Sequence, residues 1–161
     1  MDASKEPKHT TVERKSEREL VTTRTFDAPA RIVYEAWTKP ELRKRWWVPK
    51  SSGLTLLSWD ADIRVGGKYR LEFSHPQAPQ PFAFFGSYLE VMPNSRLVWT
   101  NEESADGVVT TLTFEEKGGQ TLLVMHELYP SKEALDAALE GMESGMHETF
   151  AQLDELLPTL V

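Results

Sequence analysis

The sequence predicts an α+β fold: a curved antiparallel sheet of about seven strands around one long C-terminal helix, with two short helices after the first strand. Three observations carry this. Between Leu54 and Leu128, six apolar-rich runs of seven to eleven residues are separated by turn signals. From Leu135 to Leu157 a single apolar stripe steps by three and four residues. A shorter stretch of helical period, broken at Lys39-Pro40, lies between the first strand and the six runs.

Residues 1–16 are polar, mixed in charge and without apolar period, and read as a flexible tail ahead of a domain spanning 17–161. Leu20, Thr22 and Phe26 alternate with polar residues between Glu17 and Phe26, the pattern of a first strand. Ala28-Pro29 opens a helix, because proline is tolerated where the backbone N–H has no partner anyway. Val33, Ala36 and Trp37 share its apolar face, and a second short helix runs from about Pro40 to Trp46.

The six runs are Leu54–Ile63, Gly67–Ser74, Phe82–Met92, Arg96–Glu102, Val108–Glu116 and Gln120–Leu128. Their short connections demand hairpins, hence an antiparallel meander. Tyr69, Leu71 and Phe73 point one way, and Val108, Thr110, Leu112 and Phe114 form a second such row, so one face of the sheet is apolar and must be covered. In Phe82–Met92 and Gln120–Leu128 both parities are apolar, and the inward face stays open. After Ser131, a good N-cap, the stripe through Leu135, Leu139, Met142, Met146, Phe150, Leu153 and Leu157 reads as one helix that crosses the sheet. Asp154 and Glu155 fall off that stripe, as do Glu140 and Glu143, and read as its solvent side.

Charge and composition exclude several classes. The net charge is −7, and the chain has no cysteine. Nucleic acid is a poor partner for such a chain, and disulfides, thiolate chemistry and cysteine-ligated metals are ruled out. No apolar run reaches a membrane span and the first twenty residues lack an apolar stretch, so a cytoplasmic protein without membrane insertion is expected. The acidity is concentrated: residues 131–161 carry seven acids against Lys132. Lys39, Arg43, Lys44, Arg45 and Lys50 form an opposing basic cluster around Glu41.

None of the four histidines shows metal-ligand spacing, so no metal site and no cofactor are expected. No catalytic residue is assigned; Glu72, Arg64 and His126 are the loose candidates for acid–base work, with His126 as the histidine placed to face an interior. In Asp62–Gly67, Gly66-Gly67 supplies a tight turn and Asp62 with Arg64 a pair that sets it; the alternative has Arg64 reaching a ligand. The aromatic and methionine inventory is large for a thin core. Most of it is packing, but it also suits a pocket with aromatic walls. Gly141 and Gly145, each costing a helix about 1 kcal/mol, imply close approach or room for a ligand.

In order and spacing the chain resembles the helix-grip, START-like (SRPBCC) superfamily, and within it the homologues of the activator of the heat-shock protein 90 ATPase, of C-terminal-domain type. The matching pieces are Phe26-Asp27-Ala28-Pro29 before Val33, Leu42 with Trp46-Trp47 and Pro49, Asp62–Gly67, Gly86-Ser87-Tyr88-Leu89-Glu90-Val91, Leu97-Val98-Trp99-Thr100, and Gly141–Gly145 with Leu153. They cover about residues 18–157. Met146 departs from a frequent tryptophan. The resemblance implies a cavity between sheet and C-terminal helix that takes a small hydrophobic molecule of lipid or polyketide-like type. Its expected lining is Trp37, Trp47, Tyr69, Leu71, Phe73, Phe84, Tyr88, Trp99, Leu112, Met125, Met142, Gly145 and Met146. It also implies two alternatives: a chaperone partner with a stress-related role, and a cyclase or hydrolase acting in the cavity. A monomer or weak homodimer is expected.

Overall fold

The computed structural model describes residues 10–48, 50–102, 107–139 and 142–160, and for 142–146 the backbone alone. The elements run β1 (Thr11–Arg14), β2 (Glu19–Phe26), α1 (Ala30–Thr38), α2 (Pro40–Trp46), β3 (Thr55–Ala61), β4 (Lys68–Ser74), β5 (Phe82–Met92), β6 (Arg96–Thr100), β7 (Val109–Lys117), β8 (Gln120–Leu128), α3 (Lys132–Leu139) and α4 (Met142–Leu156). The strands form one antiparallel sheet in the order β1-β2-β8-β7-β6-β5-β4-β3. The fold is the expected α+β, with one strand more than the sequence suggests. That strand, β1, lies in the segment read as a tail and pairs with β2 from Thr11↔Thr23 to Arg14↔Leu20. Its four residues are too few and too polar for a period to declare itself.

One face of the sheet is covered. Phe26, Trp59, Tyr69, Leu71, Phe73, Tyr88, Leu97, Trp99, Leu112, Phe114, Leu123 and Met125 project from it into a single core. Ile32, Val33 and Trp37 of α1, Trp46 of α2, and Phe150 and Leu153 of α4 cover them. Each such side chain contributes roughly 1.5–3 kcal/mol by leaving water.

The two strands of open parity resolve for different reasons. In β8 the odd positions Thr121, Leu123, Met125 and Glu127 face inward, which sends His126 out. In β5 Phe82, Phe84, Gly86 and Tyr88 face inward, and the register then shifts between Tyr88 and Glu90, so Val91 takes the inward place. A bulge that inserts one residue into a strand makes both parities apolar along its length.

The C-terminal stripe is carried by two helical segments, α3 and α4, with Glu140 and Gly141 outside the described residues. Leu135 of α3 closes a satellite core with Leu20 and Tyr129, whereas α4 belongs to the main core. The acids of this region are not all solvent-facing. Asp154 is 18% exposed and pairs with Arg24, an inward residue of β2 that is 6% exposed. Glu148 accepts hydrogen bonds from the Ser51 hydroxyl and backbone N–H. Gln152 donates to the carbonyls of Trp46 and Val48 at 2.9 and 2.8 Å. These polar contacts fix α4 against the chain that follows α2.

Turn chemistry follows the glycines only in part. Gly66 has φ +83°, as expected, but Gly67 does not need a positive φ. Its role is close approach, since a Cβ there would stand 2.0 Å from the Asp62 carbonyl oxygen.

Candidate functional site

Ten of the thirteen expected lining residues are described at side-chain level, and the fold brings all ten to the covered face. Trp37, Tyr69, Leu71, Phe73, Tyr88, Trp99, Leu112 and Met125 are buried members of the main core, and Trp47 packs against it. Phe84 lies on the same face, paired with Leu71 and 5.6 Å from Phe73, yet it is 42% exposed. Phe82 beside it is 37% exposed. The covered face is therefore roofed over most of its area and open at the Phe82–Phe84 end of β5. The side chains of Met142, Gly145 and Met146, and Gly141 altogether, lie outside the described residues.

The centre of the site is a member of the basic cluster that is not exposed with the rest of it. Arg43 is 4% exposed. It sits on α2 three residues before Trp46 and four before Trp47, so all three share one helix side. Its guanidinium carbon lies 4.0 Å from the Trp47 ring centroid, 4.6 Å from Trp37, 4.8 Å from Trp59 and 5.7 Å from Trp46. Each aromatic face attracts a cation by about 0.5–2 kcal/mol. Arg43 Nη1 donates to the Trp37 carbonyl at 2.9 Å, at the end of α1, and Trp46 Nε1 donates to the Ala36 carbonyl at 2.9 Å. Burial lowers the guanidinium to about 10, so it remains charged at neutral pH. No carboxylate among the described residues pairs with it. Arg43 Nε, Trp37 Nε1 and Trp59 Nε1 are all buried without a hydrogen-bond partner. The rings continue through the core: Trp59 is 5.9 Å from Tyr69, Tyr69 is 5.6 Å from Tyr88, Tyr88 is 6.4 Å from Trp99, and Trp99 returns to Trp37 at 6.1 Å. Burial also pushes the Tyr88 hydroxyl up to about 12.

A second polar group lies on the covered face near α3. Glu127 is opposite Leu20 and Thr110. Its Oε1 is buried without a partner, and its Oε2 accepts from the Tyr129 hydroxyl at 3.4 Å. Burial lifts its carboxyl to about 7, and burial likewise raises Tyr129. Thr22 Oγ1 on β2 is a further buried atom without a partner.

The acid–base candidates are not assembled. His126 faces the outside and its Nε2 meets Glu19 Oε2 at 2.7 Å, a contact that holds the Glu19 carboxyl below its ordinary value. Arg64 is 72% exposed and bonds Asp62 at 2.6 Å, the turn-setting pair. Glu72 pairs with Arg70 at 3.1 Å on the outer face of β4. Three strands, β7, β6 and β5, separate β8 from β4 in the sheet order. Among the described residues, no three His, Asp or Glu side chains gather as metal ligands would. An open groove of about 670 Å³ does lie on the outer face at β3–β5, where charged Asp60, Asp62, Lys68, Arg70 and Glu102 alternate with Ala61, Tyr69 and Phe85, so it is mixed in polarity and shares only Tyr69 with the expected lining.

An antiparallel sheet roofed on one face by two helices inserted after β2 and by a C-terminal helix makes this a helix-grip protein of the START-like type. More narrowly, residues 27–158 match the activator of Hsp90 ATPase homolog 1-like proteins, and the chain belongs to that family. Solved structures agree. A Rhodobacter sphaeroides protein is 25% identical with a TM-score of 0.85, covering 94% of this chain and 99% of its own. A Staphylococcus epidermidis protein is 29% identical with a TM-score of 0.76, covering 94% and 95%. The Aeromonas hydrophila AHSA1-like protein is 17% identical with a TM-score of 0.66, covering 84% and 92%, and shares the fold. No curated protein matches this chain.

Proposed function

We propose that the protein binds a small hydrophobic molecule between the sheet and its helices. The observation that carries this reading is the pair Phe82 and Phe84, which leave the aromatic covered face open to solvent. Aromatic groups that point inward and yet remain wet offer a ligand apolar area without dismantling the core. The five tryptophans provide the test, because Trp37, Trp46, Trp47, Trp59 and Trp99 all belong to this core or pack against it. Nile red, a neutral apolar dye, is titrated while its emission and the intrinsic fluorescence are followed. Saturable blue-shifted emission with quenching is expected, together with weaker binding by Phe84→Ser at unchanged melting behaviour. Absence of saturable binding, or equal binding by Phe84→Ser, refutes the reading.

A second reading, docking on an acidic chaperone-type partner, draws on the exposed bases Lys39, Lys44, Arg45 and Lys50. Burial of Arg43 removes one member of that cluster, and Lys39 lies 3.7 Å from Glu35. A purified heat-shock protein 90 that neither binds this chain at low salt nor changes its ATPase rate excludes this reading.

A further inference from the structure

The apolar-ligand reading leaves one feature unexplained: a buried cation that meets one backbone carbonyl, while its Nε and two neighbouring indole N–H groups have no acceptor. Removing an unpaired cation from water costs several kcal/mol, and aromatic faces return only part of that. If Arg43 served only to hold the end of α1, its single bond to the Trp37 carbonyl would suffice, and a neutral donor could make it. Instead Arg43 Nε, Trp37 Nε1 and Trp59 Nε1 are left unbonded within one set of touching groups. Three donors and a positive charge call for an anion rich in acceptors.

One row of inward side chains links this group to the open end of the sheet. Trp59 pairs with Leu71 and Leu71 pairs with Phe84, so these three form one row across β3, β4 and β5 on the covered face. Two strand spacings of about 4.8 Å place the open end roughly 10 Å from Trp59. That is the length of a fused aromatic pair or a medium acyl chain.

We propose that Arg43, walled by Trp37, Trp47 and Trp59, receives the carboxylate of an apolar acid whose body lies along the Trp59–Leu71–Phe84 row. This inference rests on the apolar-ligand reading, and the test separates the two. Affinities of 2-naphthoate and 2-naphthamide, and of decanoate and decanamide, are measured by tryptophan quenching and by thermal shift at neutral pH. Nile red is the neutral control. In the parent protein each acid is expected to bind about tenfold or more tighter than its amide, the worth of a charge-assisted bond. In Arg43→Met that ratio falls to near one. Arg43→Lys, a point charge without the planar fork, lowers the ratio severalfold. Equal affinity for acid and amide in the parent protein overturns the proposal, as does a ratio that persists in Arg43→Met. If Arg43→Met does not fold, an unchanged ratio in Arg43→Lys overturns it. Nile red binding without any preference for acids refutes the anion site alone. Absence of Nile red binding removes both readings.

Discussion

Replacing Glu127 by glutamine keeps the shape of a buried side chain and removes its titration. Glu127 faces the covered side of the sheet, opposite Leu20 and Thr110, where the satellite core closes with Leu135. The Tyr129 hydroxyl and the neighbouring His126 pull its carboxyl down, but burial outweighs both and lifts it from 4.5 to about 7. The raised value means that the folded protein holds this proton more tightly than the unfolded chain. The stability this provides is fully present below 4.5 and is lost as pH rises through about 7. At about 1.4 kcal/mol per tenfold change in proton affinity, the loss is on the order of 3 kcal/mol. Glutamine carries no such dependence, and the outward pair of His126 with Glu19 is common to both proteins, so it cancels in the difference. Urea unfolding of parent and Glu127→Gln is measured in steps from about pH 4 to pH 8.5. Glu127→Gln is expected to gain on the parent by about 3 kcal/mol across that range, with the gain levelling off above neutral pH. A flat difference, or a parent protein that gains on the variant as pH rises, refutes the burial argument.

Other outcomes follow from packing and backbone geometry. Arg24→Met leaves Asp154 desolvated without its partner and is expected to cost about 3–5 kcal/mol in urea unfolding. Arg24→Met combined with Asp154→Leu should cost clearly less than Arg24→Met alone, and a larger loss in the double variant contradicts the ion-pair account. Gly67→Ala drives a Cβ to within 2.0 Å of a carbonyl oxygen and is expected to abolish cooperative melting. Gly118→Ala meets nothing within 4 Å and bears only its φ of +62°, so it should remain folded, about 1–2 kcal/mol weaker.

The sheet was legible because its strands announce themselves through alternation and hairpin signals, and the aromatic lining because those residues recur at inward positions. What escaped the sequence had specific physical causes. By charge alone Arg43 groups with the basic cluster, although its spacing of three and four from Trp46 and Trp47 carries a signal for burial beside them. His126, at the end of its strand, reads as the inward member of its dipeptide. Continuing the parity of Leu123 and Met125 would have turned Glu127 inward instead. The bulge in β5 hid that strand's parity, since one inserted residue exchanges the two faces midway. Asp154 reads as solvent-facing because it falls off the apolar stripe; its partner Arg24 is 130 residues away in the chain, and local spacing holds no trace of such a pair.

The strand order also bears on how the chain is made. From β3 to β8 each strand pairs with the next in sequence, so this part can assemble by successive hairpins as it leaves the ribosome. The β1–β2 hairpin is synthesised first but docks on β8, with partners from Glu19↔Leu128 to Phe26↔Thr121. Closing that gap of roughly a hundred residues must wait until β8 has been made. Until β8 is made, the inward row of β2, Leu20 and Phe26 among it, lacks the strand that seats it in the sheet.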